Sequence, residues 1–139
     1  MIHNGMIRTY SVSYPDDVSQ LCPLIINMHG FGGNGFYQSY SSEMDEYALP
    51  NGVAVVYPDG LLFSWNEGTF WDSNPYDDVD FISNLIDTVS SNYDIDLNRI
   101  YATGMSNGGY MAYELACELS HKIAAFGSVA GNFMLNDDQ

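Results

Sequence analysis

The sequence predicts an α/β fold: a mostly parallel sheet with helices on its faces. Three observations carry that prediction. Nearly continuous apolar runs at residues 24–28, 53–57 and 99–103 have the composition of strands covered on both sides. Each run stops at turn-forming residues, in His29-Gly30, Pro58-Asp59-Gly60 and Gly104. Stretches with helical spacing lie between them, and strand alternating with helix implies right-handed crossovers within one sheet.

Residues 6–14 alternate larger and smaller or polar side chains, which suits a half-exposed, antiparallel first strand closed by Pro15-Asp16-Asp17. The run Leu24-Ile25-Ile26-Asn27-Met28 follows, and then a helical pattern over residues 37–49. After Val53-Ala54-Val55-Val56-Tyr57 comes a long aromatic loop, residues 60–76, of a length that is often functional in compact domains. Val79, Ile82, Ile86, Val89 and Tyr93 recur at steps of three or four and form one apolar stripe, with Asp77 or Asp78 as the expected cap. Met111, Leu115 and Leu119 place a second helix over residues 107–119, and a fourth buried strand is expected within residues 124–131. With no internal repeat, low-complexity tract or linker, residues 1–139 read as one domain.

Of the 139 residues, 46% are apolar and 14% aromatic, enough to build a core. Three basic residues face eighteen acidic ones, and the net charge of −15 repels nucleic-acid phosphates and anionic membranes, so neither is expected as a partner. No apolar run approaches the roughly 20 residues that cross a bilayer, and Met1-Ile2-His3-Asn4-Gly5 lacks the layout of a signal peptide. Cys22 and Cys117 lie in unlike settings and are expected as two separate thiols, buried or partly buried, with a single bridge as the alternative.

Gly104-Met105-Ser106-Asn107-Gly108 fits G-x-S-x-G between a strand and a helix, the setting in which a serine Oγ is projected off a sharp turn. Ser106 is the candidate nucleophile, and the amide of Asn107 at the helix start is the first candidate oxyanion donor. His29-Gly30-Phe31-Gly32-Gly33-Asn34 follows an earlier strand, where a turn can aim a second amide at the same oxygen; Phe31 is the first choice and Gly32 the second. A phosphate-cradling loop is excluded by the absence of G-x-x-x-x-G-K-[ST]. His29 reads as a residue that fixes its loop by hydrogen bonding. Trp65 and Trp71 either line an ester-binding cleft or pack the loop. Asp94-Ile95-Asp96-Leu97-Asn98-Arg99 resembles a calcium loop, but Arg99 stands where glycine is required, so a turn into a strand explains it and no metal site is expected.

The segments Ser64-Trp65-Asn66-Glu67-Gly68, Asp77-Asp78-Val79-Asp80-Phe81-Ile82, residues 93–101 and 104–109, together with Pro23 to Gly30 and Leu115-Ala116-Cys117-Glu118, resemble the α/β-hydrolase esterase family of polyhydroxybutyrate depolymerases and feruloyl or acetylxylan esterases. The resemblance covers nearly the whole chain. It implies a secreted serine esterase acting without a cofactor on polymeric or plant-derived hydroxy-acid esters, with Ser106 as nucleophile. Phe31 stands where many such proteins carry Cys, and the aromatic loop has no cysteines, so their disulfides do not carry over.

The triad of this fold runs Ser, acid, His, with the last two on loops after later strands. His3 and His29 precede Ser106, and His121 follows it by too few residues to span a helix and two strands. Asp137 and Asp138 come one strand early for the acid and are assigned no role. The expectation is a chain truncated after the strand that follows the nucleophile helix, inactive alone and prone to self-association along its last strand. A binding module or pseudoenzyme on the same scaffold, and a serine peptidase or acyltransferase, stay open at this point.

Overall fold

The computed structural model describes residues 1–68 and 74–132. Two short strands, β1 (Ile2–His3) and β2 (Met6–Ile7), form a hairpin on Asn4 and Gly5, both with positive φ (48° and 76°), as the tightest hairpin turns require. The main sheet holds β3 (Tyr10–Ser13), β4 (Cys22–Met28), β5 (Ala54–Pro58), β6 (Ile95–Met105) and β7 (Ala125–Val129) in the order β3-β5-β4-β6-β7. Strand β3 runs antiparallel to β5 and the other pairings are parallel. The single strand expected over residues 6–14 is therefore two, interrupted where the Arg8 side chain turns inward to Asp78.

Among the described residues four α-helices flank the sheet: α1 (Gly35–Ser42), α2 (Met44–Ala48), α3 (Asp78–Asn92) and α4 (Asn107–Glu118). The continuous helix expected over residues 37–49 is broken at Glu43, which adopts φ 50°, ψ 25° and so ends α1 before α2 begins. Of the two candidate caps, Asp77 serves α3, accepting from the Asp80 amide at 2.9 Å, while Asp78 is buried in an ion pair.

Alternation along the strands divides the core. Leu24, Ile26, Met28, Val56, Ile100 and Ala102 face α3 and α4, where Phe81, Ile82, Leu85, Ile86, Met111 and Leu115 close over them. On the other face Val55 and Tyr57 pack under α1 and α2, and the Tyr57 hydroxyl donates to Asp45 at 2.6 Å. The β7 strand departs from the expected buried run. Among the described residues it is the sheet edge beside β6; Phe126 meets the Tyr113 ring of α4 at 4.9 Å but is 41% exposed, and Val129 is 59% exposed. The face of Ile25, Tyr101, Thr103, Ala125 and Gly127 lines an open hollow of about 270 Å³. Both cysteines are free thiols, Cys22 buried as expected, while Cys117 is exposed, because it lies on α4 away from the face that buries Met111 and Leu115. No helix among the described residues is long and apolar enough to cross a membrane.

Candidate active site

Strands β4 and β6 are parallel neighbours with Met28 opposite Gly104, so the residues that leave each strand emerge side by side. From β6 comes Ser106, at φ 51°, ψ −116°, a backbone conformation that non-glycine residues avoid. Its amide is fixed by the Val129 carbonyl at 2.8 Å, and its own carbonyl takes the Tyr110 amide at 2.9 Å as α4 begins. The flanking glycines are a steric requirement of this turn. A Cβ on Gly104 would meet the Gly108 carbonyl and stand 2.8 Å from the Met28 oxygen; one on Gly108 would strike the Met28 oxygen and lie 2.5 Å from that of His29. The helix therefore crosses directly over the ends of β4 and β6, which leaves Ser106 half-buried at the rim.

From β4 comes the His29–Asn34 turn. A Cβ built on Gly30 would lie 3.6 Å from the Ser106 Cβ, so this turn packs against the serine. Among the described residues neither the Phe31 amide nor the Asn107 amide meets an acceptor. The Gly32 amide is committed to the Phe63 carbonyl at 2.7 Å, which removes the second-choice donor and leaves Phe31, whose side chain is 80% exposed. The turn is anchored beyond: Asn34 caps α1 by accepting from the Tyr37 amide at 2.9 Å, and Asp59 accepts from the Gly35 amide at 2.7 Å.

His29 is buried, and both ring nitrogens are used. Nδ1 bonds the Gly30 carbonyl at 2.8 Å and Nε2 accepts from the Gly60 amide at 3.0 Å, which fixes the neutral tautomer protonated at Nδ1. Desolvation by burial pushes its pKa below the usual histidine value. His29 thus holds the loop and is no proton shuttle. His3 Nε2 pairs with Asp80, and His121 lies past the far end of α4, a helix that rises about 18 Å from Ser106 at 1.5 Å per residue. None of the three histidines is in place as a base.

Trp65, expected either to line a cleft or to pack, is wholly buried; its Nε1 donates to the His29 carbonyl at 2.9 Å and its ring lies tilted against that of His29, 5.0 Å between centroids. It supports the His29–Asn34 turn from beneath and does not line an open wall. Trp71 lies outside the described residues. Two features escaped the sequence reading. The Asn107 carboxamide, besides its backbone amide, bonds Trp65 and Glu67. Asp78 binds Arg8 at 2.6 Å and the Asn66 amide at 2.8 Å, tying the aromatic segment to α3. The sequence carries Ser64-Trp65-Asn66-Glu67-Gly68 only as a stretch of resemblance, with no local signal for either contact. In the suspected calcium loop, Asp96 accepts from the Asn98 amide and from Arg99 Nε, and these bonds hold its pKa below the usual carboxylate value. Among the described residues no three His, Cys, Asp or Glu side chains converge as metal ligands.

No family model matches the chain. It is 32% identical over 130 residues to a bifunctional acetylxylan esterase/xylanase of Neocallimastix patriciarum, covering 91% of this chain and 18% of that protein. To feruloyl esterase D of Neurospora crassa it is 33% identical over 141 residues, covering 92% of this chain and 47% of the relative. The crystal structure of a thermostable esterase superposes with a TM-score of 0.73 at 25% identity, over 88% of this chain and 37% of the other. The chain thus spans less than half the length of these proteins. By sequence and fold it is an α/β-hydrolase-fold homologue of the feruloyl and acetylxylan esterases.

Proposed function

We propose that this chain supplies the nucleophile and oxyanion hole of a serine carboxylic-ester hydrolase whose acid and histidine lie outside it. The carrying observation is the juxtaposition at Ser106: a strained, glycine-flanked serine beside the Asn107 and Phe31 amides, which meet no acceptor among the described residues. Ser106 Oγ attacks the ester carbonyl carbon as its proton passes to a base, and the carbonyl π pair moves onto oxygen. The two amides and the N-terminus of α4 stabilise that developing charge. Collapse expels the alcohol and leaves an acyl-serine, which water hydrolyses by the same steps. A serine hydroxyl without a base is a poor nucleophile at neutral pH, so the 139 residues alone have negligible turnover.

The names of the relatives, an acetylxylan esterase and a feruloyl esterase, favour acetyl or feruloyl esters over polyhydroxybutyrate as substrate. The test is made on the full-length protein. A fluorophosphonate labels it at Ser106, Ser106→Ala abolishes the label, and methyl ferulate or acetylated xylan is cleaved without added metal. Folded full-length protein that is not labelled at Ser106 overturns the reading. Labelling with cleavage of peptides and not of esters reassigns it to a peptidase.

A further inference from the structure

The Asn107 carboxamide makes three hydrogen bonds to one short segment. Oδ1 accepts from the Trp65 amide at 2.7 Å, while Nδ2 donates to the Trp65 carbonyl at 3.1 Å and to Glu67 Oε2 at 3.0 Å. A primary amide bonded at both ends has a single orientation, because its oxygen only accepts and its nitrogen only donates. Glu67 is 9% exposed, so its carboxylate sits where charge is costly and donors are at a premium. Asn107 is also the residue whose backbone amide follows Ser106, and Trp65 in turn bonds the His29 carbonyl at the start of the Phe31 turn. One continuous set of bonds, Glu67 to Asn107 to Trp65 to His29, joins the two elements that carry the oxyanion amides.

We propose that Glu67 is a positioning residue of the esterase site: its carboxylate sets the Asn107 carboxamide and thereby aligns the Asn107 amide with that of Phe31. This rests on the reading of Ser106 as an ester-hydrolase nucleophile. Glu67 touches neither substrate nor serine; it acts through Asn107, and its loss misplaces a donor that must meet an oxyanion at hydrogen-bond distance.

The test uses the full-length protein with p-nitrophenyl acetate as substrate and a fluorophosphonate as label. Glu67→Ala lowers kcat about tenfold with KM within about twofold, the pattern of a donor displaced in the transition state, whereas Glu67→Gln, which keeps an acceptor oxygen, stays within about threefold of wild type. The deciding pair is Asn107→Asp with and without Glu67→Gln. Alone, Asn107→Asp sets two carboxylates together and lowers kcat roughly thirtyfold at pH 8, with partial recovery relative to wild type at lower pH as the pair takes up a proton. Adding Glu67→Gln restores a donor opposite the new carboxylate, recovers most of the rate and removes the extra pH dependence. Equal rates for Asn107→Asp with and without Glu67→Gln overturn the proposal even where Glu67→Ala fails to fold. Wild-type protein labelled at Ser106, with Glu67 variants unchanged in kcat, overturns the positioning role alone. Wild-type protein unlabelled at Ser106 overturns the hydrolase reading and this proposal with it.

Discussion

The Arg8 guanidinium meets the Asp78 carboxylate at 2.6 Å with side-chain exposures of 1% and 0%, and the same guanidinium lies 3.6 Å above the Phe81 ring. The second Asp78 oxygen accepts from the Asn66 amide and from Asn74 Nδ2. One buried pair thus joins the strand-like N-terminal segment, the first turn of α3 and both ends of the described aromatic segment. Removing one partner of a buried pair leaves the other charge without compensation. Asp78→Ala is therefore expected to lower unfolding stability by about 3–5 kcal/mol in urea titrations. Arg8→Ala falls in the same range, and the double variant is clearly less destabilised than the sum of the two. Additive losses would mean that the two side chains do not act as a unit.

The elbow glycines give a second expectation, separable from chemistry. A methyl at Gly104 or Gly108 meets backbone carbonyls that belong to β4 and the helix itself, atoms unable to move without shifting an element. Forcing extra atoms into a packed site costs about 1–3 kcal/mol or more. Gly108→Ala is expected to destabilise by at least that amount and to lower Ser106 labelling in the full-length protein. Gly5→Ala, where a Cβ meets nothing but φ is 76°, costs only the strain of a left-handed residue, about 1 kcal/mol. Equal losses at the two sites, read by thermal melting, would remove the steric account of the elbow.

These contacts separate what the sequence makes legible from what it does not. The β4 and β5 runs, the Ile82-Ile86-Val89 part of the α3 stripe and the elbow are local patterns, and they appear where periodicity and turn residues put them. Strand β6 departs, running from Ile95 to Met105 through both the expected turn and Gly104 because it pairs with β4 along that length. Tyr93 lies past the end of α3, extended and 38% exposed. The break at Glu43 is not legible, because a glutamate in the left-handed region, at φ 50°, carries no local signal in the sequence. The β7 run has the composition of a strand buried on both faces, yet composition reports what a strand can bury, not which neighbours cover it. Trp65 is ambiguous for the same reason: an aromatic residue in a loop suits either a cleft or a core. Arg8 with Asp78, and Asn107 with Trp65 and Glu67, pair residues 70, 42 and 40 positions apart, and no spacing rule reaches that far.

His29 supplies a pH dependence with a definite sign. Burial lowers its folded pKa below the unfolded value near 6.5, so the unfolded chain takes up this proton before the folded one does. Above pH 6.5 the residue is neutral in both states and its contribution is intact. As the pH falls from about 6.5 toward the lower folded value, the unfolded state binds more protons and stability is lost. His29→Gln, which retains a donor and an acceptor on its side chain, is expected to be less stable at pH 8 and to lose less on acidification to pH 5. The measurement is the melting temperature of both proteins across that range. Parallel curves would show that His29 does not carry the acid sensitivity.

The last expectation concerns β7, where two opposing forces act on the 139-residue chain. Among the described residues its outer edge has no strand partner, and beside it Ala125, Gly127 and the half-exposed Tyr101 and Thr103 form an uncovered strip of sheet. Edges of this kind template pairing with a second chain. A net charge of −15 opposes the encounter. Salt weakens only the second force, because the screening length falls from about 30 Å at 0.01 M to about 3 Å at 1 M while apolar burial is not diminished. The chain is therefore expected to sediment nearer its monomer mass at low salt and to associate as sodium chloride is added. Val129→Lys should suppress that association, since this exposed side chain sits on the edge strand and a lysine there disfavours strand addition. Sedimentation equilibrium of both proteins at several salt concentrations makes the comparison. A monomer at every concentration would show that β7 is not an adhesive edge, and association unchanged by Val129→Lys would place the contact elsewhere.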